Sequence, residues 1–127
     1  MFKGLMAAAL TVLVVPKSAA DTAAATSGWV AIPAGWDDDV GFMLLTGDDT
    51  GSSTHKIQTA DDNSGTGARD VVFNDGTSKF TDVAADNSKE LKVVSRTGLS
   101  KYVKHVATVT TGPCVMSSVM FGCPKST

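Results

Sequence analysis

The chain has no excess of basic charge: 11 Lys and Arg stand against 13 Asp and Glu, for a net charge of −2. Binding to a phosphate backbone needs clustered cations, so nucleic acid is excluded as a partner. The one basic-leaning stretch holds Lys89, Lys92, Arg96, Lys101 and Lys104, interrupted by Glu90 in a strand-like pattern. That is the pattern of a solvated face. A membrane-spanning run is also lacking. Gly4 to Val15 is uncharged and mostly apolar, but it is about a dozen residues where a spanning helix needs ~20. No transmembrane anchor and no membrane partner are expected.

Catalytic signatures are missing as well. There is no GxSxG, no glycine-rich phosphate loop and no HExxH. The only histidines, His55 and His105, stand at neither metal-ligand nor nucleophile–base spacing. His55 reads as exposed in a polar turn, and His105 as packed or bonded to a neighbour in mid-strand. The acidic groups Asp37-Asp38-Asp39, Asp48-Asp49 and Asp61, Asp62, Asn63 and Asp70 invite a calcium reading. Counted from Asp61, an EF-type loop would place Gly65 fifth, Thr66 sixth and Val72 twelfth, which breaks the ligand pattern. Turn chemistry explains these residues more simply, because Asp and Asn side chains bond nearby backbone N–H groups. The expectation is a chain without enzymatic activity, metal or cofactor.

Cysteine is scarce. Cys114 and Cys123 frame CVMSSVMFGC, and in one extended strand they would lie ~30 Å apart. A disulfide needs Cα atoms within about 7 Å, so a bridge would require a tight hairpin that Ser117-Ser118 signals only weakly. Free, partly buried thiols are expected.

What is present is a succession of short strands. From Gly28 onward, apolar or alternating runs are separated by Gly, Asp, Asn and Ser. Strands are expected at about Trp29–Ile32, Val40–Thr46, Thr54–Ala60, Asp70–Phe73, Phe80–Ala84, Glu90–Arg96, Tyr102–Thr111 and Val115–Phe121. Gly47-Asp48-Asp49-Thr50-Gly51 and Asn74-Asp75-Gly76 tolerate the positive φ of hairpin turns, and Thr97-Gly98 ends a strand in the same way. YVKHVATVTT alternates with both faces mixed, as in a strand partly buried on each side or an edge facing another subunit. With no amphipathic helix and no internal repeat, these strands imply an all-β fold, an antiparallel sandwich or barrel-like domain of 7–8 strands. At 127 residues it is one domain.

The first 27 residues read differently. MFKGLMAAALTVLVVPKSAA has one Lys, an apolar run and small residues before Asp21, as a cleavable signal would. AADTAAATSG then has few bulky side chains and reads as an arm or linker. The expected organisation is an extended N-terminal arm, 1–27, ahead of a β-domain, 28–127. Phe2, Leu5, Met6, Leu10, Leu13 and Val15 would supply its apolar partner contacts. Trp29 and Trp36, flanking Ala31-Ile32-Pro33-Ala34-Gly35, could form an aromatic platform, anchor an interface or fill the core.

The second half, FTDVAADNSKELKVVSRTGLSKYVKHVATVTTG, resembles a group of small structural proteins found with the head genes of tailed bacteriophages. The likeness rests on Asp82-Val83-Ala84, Lys92, Gly98, Lys101-Tyr102-Val103-Lys104 and the closing Gly122-Cys123-Pro124. It extends upstream to Phe42-Met43-Leu44-Leu45-Thr46-Gly47 and to the opening Met1-Phe2-Lys3-Gly4-Leu5. Val94-Ser95-Arg96-Thr97 replaces a Gly-Tyr portion, and a His-rich tail is absent. The resemblance implies a non-enzymatic virion component, a decoration or cement protein on the capsid. Its partners would be the major capsid protein and further copies of itself, a trimer suiting local threefold axes. The competing expectation is a secreted or periplasmic glycan- or receptor-binding module, with residues 1–20 removed as a signal peptide.

Overall fold

The computed structural model describes residues 9–18, 23–36, 38–49, 52–84, 87–110 and 114–122. Nine strands and one 3₁₀ turn follow in order: β1 (Ala9–Ser18), β2 (Ala23–Thr26), β3 (Val30–Ala31), β4 (Val40–Asp49), β5 (Ser53–Ala60), β6 (Arg69–Asp70), β7 (Lys89–Val94), the turn at Arg96–Gly98, β8 (Tyr102–Val109) and β9 (Cys114–Gly122). They form two antiparallel sheets. One has the order β1-β9-β4-β7; the other has the order β2-β8-β5-β6, with β3 also paired to β8. The expected antiparallel sandwich is what forms. Sheets A and B below are the four- and five-stranded sheets.

Strand patterning differs between the sheets for a physical reason. In β5 and β8 every second residue is buried, among them His55, Ile57 and Thr59 facing Val103, His105 and Ala107 in the inner layer. Their other residues are polar or half-buried, so period-2 alternation is visible in the sequence. In sheet A, Val40, Phe42 and Leu44 of β4 and Met116 and Met120 of β9 face the core. The residues between them, Met43, Leu45, Val119 and Phe121, are half-buried on the other face. Those strands read as nearly continuous apolar runs, as strands apolar on both faces do.

The core gathers around Trp36, Val40, Phe42, Leu44, Phe73, Phe80, Val103 and Met120. Phe73 lies tilted between Phe42 and Phe80, with ring centroids 6.4 and 5.4 Å away. The 71–84 segment is held to β5 by Val71 N–H donating to Ile57 O, and Phe80 N–H to His55 O, both at 2.9 Å. The strand expected at Phe80–Ala84 is reduced to one bridge, Ser53 to Val83. That expected at Asp70–Phe73 is the two-residue β6. Asn74-Asp75-Gly76 forms the expected turn, with Gly76 at φ 86°. Thr50 and Gly51 of the other expected turn lie outside the described residues, and β4 itself runs on through Asp49.

Two segments within the region read as an arm, 9–18 and 23–26, form paired strands. Ala9 to Val15 pair residue by residue with Gly122 to Met116, and Ala23 to Thr26 pair with Val109 to Val106. Both segments are therefore members of the sheets. The apolar run that resembled a signal core is a strand whose two faces are both apolar, so no alternation marked it. Pro16 lacks the N–H a ladder needs, and the register shifts between Val15 and Ser18 where it sits. β4 shifts at the same level, between Thr46 and Asp49, so both neighbours of β9 bulge beside Val115.

Removal of residues 2–18 should then strip a strand and bare β9, lowering the melting temperature by 10 °C or more or causing aggregation. An unchanged circular-dichroism melt would return the segment to an arm. β8, read as either partly buried on each side or an edge, is central in sheet B between β2 and β5, with one face buried and the other mostly half-buried. β9 runs extended from Cys114 to Gly122, about 26 Å at ~3.3 Å per residue. Cys123 itself lies outside the described residues.

Candidate functional site

Three places concentrate chemistry: a buried polar set between the sheets and the two outward sheet faces. The buried set is Ser53, His55 and His105, at 1%, 0% and 0% exposure. Ser53 Oγ lies 2.7 Å from His55 Nε2, and His55 Nδ1 lies 2.8 Å from His105 Nε2. His105 Nδ1 has no hydrogen-bond partner among the described residues. A buried N–H without an acceptor is costlier than an unused lone pair, which assigns the protons. His105 Nε2–H donates to His55 Nδ1, His55 Nε2–H donates to Ser53 Oγ, and His105 Nδ1 stays bare. A second proton on His105 would sit on Nδ1, which has no acceptor among the described residues. Burial, reinforced by repulsion from His55, pushes the His105 pKa down to about 3.

His55 therefore is not the exposed turn residue its polar neighbours suggested. It lies at the third position of a strand whose odd members point inward. His105 is bonded to a neighbour, as expected. The set has the serine–imidazole order of a nucleophile relay but no open surface, since a nucleophile must reach its substrate.

The outward face of sheet B is polar and carries Trp29. Lys104 Nζ stands 4.6 Å from the Trp29 ring centroid, a cation–π pair, and Gly65 (φ 87°) comes close to the indole on another side. Lys104 is opposite Gln58, and Gln58 Nε2 donates to Asp70 Oδ1 at 3.0 Å. Lys56 Nζ bonds the same carboxylate at 3.0 Å. Gln58 first, then Lys56, hold the Asp70 carboxyl below its ordinary range. A shallow cleft of about 280 Å³ adjoins them, lined by Thr54, Lys56, Asp70, Ser78, Lys79, Val106 and Thr108. At its far side Lys79 bonds Asp82 at 3.1 Å.

Trp36, the other tryptophan offered as a partner contact, is 2% exposed and belongs to the core. Its ring lies so close to Gly122 that a Cβ there would stand 2.8 Å from it. The two tryptophans thus divide, Trp36 as filler and Trp29 at the surface. Of the other expected contacts, Leu10, Leu13 and Val15 are on β1, where Leu10 pairs with Phe121, Leu13 with Ser118 and Val15 with Met116. Phe2, Leu5 and Met6 lie outside the described residues.

The outward face of sheet A is apolar, and the sequence reading missed it. Met43 pairs with both Leu91 and Val119, and Val119 pairs with Val12, so one apolar row crosses all four strands. A parallel row runs from Val93 through Gly41 and Phe121 to Leu10, the Phe121 ring lying over Gly41. Leu91 is 48% exposed. The signal was there in VGFMLLTG and CVMSSVMFG, which lack the polar alternates of a half-wet strand.

The acidic loop that invited a metal has another use for its side chains. Asp62 accepts from Ser64 N–H and Thr66 N–H at 2.9 and 3.1 Å, closing the 61–68 loop. Its carboxyl is held below the ordinary range by Thr66 first and Ser64 after it. Asp37 lies outside the described residues.

Together these features define a two-sheet antiparallel β-sandwich with one polar and one apolar outer face. No protein-family model and no curated protein matches the sequence. Among solved structures, SPBc2 prophage-derived protein YomS is similar at 14% identity and TM-score 0.52, over 90% of this chain and 93% of that one. The chain thus shares its fold with a phage-derived protein. The C-terminal CBM6 of LamC from Zobellia galactanivorans is similar at 6% identity and TM-score 0.42, over 90% of this chain and 99% of that one. The Tobacco streak virus coat protein is similar at 8% identity and TM-score 0.38, over 95% and 90%. Scores this low fall short of a shared fold.

Proposed function

We propose that this chain is a non-enzymatic virion structural protein, a capsid decoration or cement protein that binds the major capsid protein lattice and stabilises the phage head. The observation that carries the reading is where the phage-like residues fall. Asp82-Val83-Ala84 bridges to β5, Lys92 stands on β7, and Lys101-Tyr102-Val103-Lys104 leads into β8. They are consecutive parts of one frame, and that frame is shared with a prophage-derived protein. The sealing of Ser53 and His55 supports a structural role over hydrolysis. Because β1 is a paired strand, residues 9–18 work better as retained structure than as a removed leader.

The capsid-facing surface in this reading is the outer face of sheet B. Trp29 is a half-exposed aromatic anchor, and Lys56, Asp70, Lys79 and Asp82 form a rim of matched charges. That is the anatomy of a binding patch, in which a few large anchors carry most of the affinity. Trp29→Ala should leave the melting temperature within a few degrees and weaken attachment to purified heads by roughly 30-fold, the loss of a ~2 kcal/mol hot spot. Co-sedimentation with heads reads it, and undiminished occupancy would rule this face out.

The same face favours a second reading, a saccharide-binding module. The cleft is lined by the hydroxyls of Thr54, Ser78 and Thr108 and by the Asp70 carboxylate, groups that suit polyols, and it approaches the ~300 Å³ of small-molecule sites. Saccharide binding abolished by Trp29→Ala, with no head attachment, would select it.

A further inference from the structure

We infer that the outer face of sheet A is a self-association surface, taking a second copy of this chain about a twofold axis. Four observations converge. The apolar row Leu91–Met43–Val119 continues in register to Val12 on β1, so the face spans the whole sheet. On the core side of β4 and β9, Val40, Phe42, Leu44, Met116 and Met120 are apolar as well, with Thr46 and Ser118 among them, so both faces of these strands are mostly apolar. Sheet B shows the contrast within the same chain, because its outer residues alternate as they do against water.

The third observation selects the occupant. Among the side chains described on this face, from Gly41 to Leu45 on β4, Lys89 to Val93 on β7 and Ser117 to Phe121 on β9, Lys89 at one corner carries the charge. A charged partner surface would lose its hydration here and gain no counter-charge. Sheet B's outer face, with Lys56, Asp70 and Lys104, is therefore unsuited as its counterpart. The surface in this protein that matches an uncharged apolar face is the same face on another copy, which is an isologous contact.

Fourth, the opposite edge of the sheet is blocked. Asn74 N–H donates to Val93 O, Thr81 N–H to Glu90, and Lys92 pairs with Asp75, so the 74–81 segment covers β7. Among the described residues β1 pairs with β9 alone.

Four strands at ~4.8 Å and six residues at ~3.4 Å give a face of about 19 by 20 Å. Two copies would bury roughly 800 Å², less than the ~1,200 Å² of a standard interface, so self-association is concentration dependent. A repeated lattice would reinforce it through effective concentration. The contact stands apart from capsid binding and is measured without capsids.

Sedimentation equilibrium of the full chain should show monomer near ~1 µM and dimer near ~100 µM. Leu91→Lys changes a half-exposed residue, so it should fold with an unchanged melt and stay monomeric throughout that range. Val119→Lys, two strands away on β9, should do the same and gives an independent check. A wild-type monomer at every concentration would overturn the proposal, as would an oligomer that both variants leave intact. Attachment of the Leu91→Lys protein to heads is a separate readout, so loss of dimer and loss of capsid binding are distinguishable.

Discussion

Acidification from pH 7 to pH 4 is expected to cost the folded state about 3 kcal/mol, through His105. Its folded pKa is about 3, against 6.5 when unfolded, because burial and the neighbouring His55 disfavour the cation. Between those values the unfolded chain binds a proton that the folded chain refuses. Stability is therefore complete above pH 6.5 and falls as pH drops, by about 1.4 kcal/mol per pH unit. The full window to pH 3 is worth roughly 4 to 5 kcal/mol, a large share of a typical domain's stability.

The carboxylates act in a different window. Asp75 is held low by Lys92 and Thr77, Asp82 by Lys79, and Asp70 by Gln58. A depressed carboxylate stabilises above its unfolded pKa near 3.8 and loses that contribution as pH falls further. The slope between pH 6 and pH 4.5 therefore reports the buried imidazole. Urea midpoints at pH 7, 6, 5 and 4.5 measure it. His105→Leu should be less stable at pH 7, since His55 Nδ1 loses its partner, yet flatter with pH. Equal wild-type midpoints at pH 7 and 4.5 would show that His105 is not sealed.

Trp36→Ala is expected to destabilise by about 3 to 5 kcal/mol, the range for deleting a large buried aromatic. The ring sits in the main cluster with Val40 and Met120 and lies flat against Gly122. Gly122→Ala probes the same contact from the other side. Its Cβ would press into the indole, which packing holds in place, at a cost of about 1 to 3 kcal/mol. Trp29→Ala should cost under ~1 kcal/mol, since it loses mainly one cation–π contact with Lys104. Thermal melts of the three variants test the division of the tryptophans. A Trp29 cost equal to that of Trp36 would make both of them core.

Much of the frame was legible as sequence. β4, β5, β7, β8 and β9 were each expected within a few residues of where they form, because turn residues bracket them and β5 and β8 alternate. Asn74-Asp75-Gly76 and the Asp62 loop were also readable, since their backbone demands are local. β1 was not. Its partner, β9, is more than ninety residues away in the chain, and a strand apolar on both faces carries no period to detect. β2 failed for a related reason: AAAT has almost nothing to bury, and only pairing with β8 makes it a strand.

The candidate sites divide along the same line. Composition and alternation by themselves determined an all-β chain of low charge, with Trp29 and Trp36 as its notable aromatics, because those properties are local or additive. Which tryptophan faces outward, that Ser53, His55 and His105 meet, and that Leu91, Met43, Val119 and Val12 fall in one row were decided only by the tertiary structure. Each depends on register between strands far apart in sequence, and a shift of one residue would turn every one of those side chains to the other face.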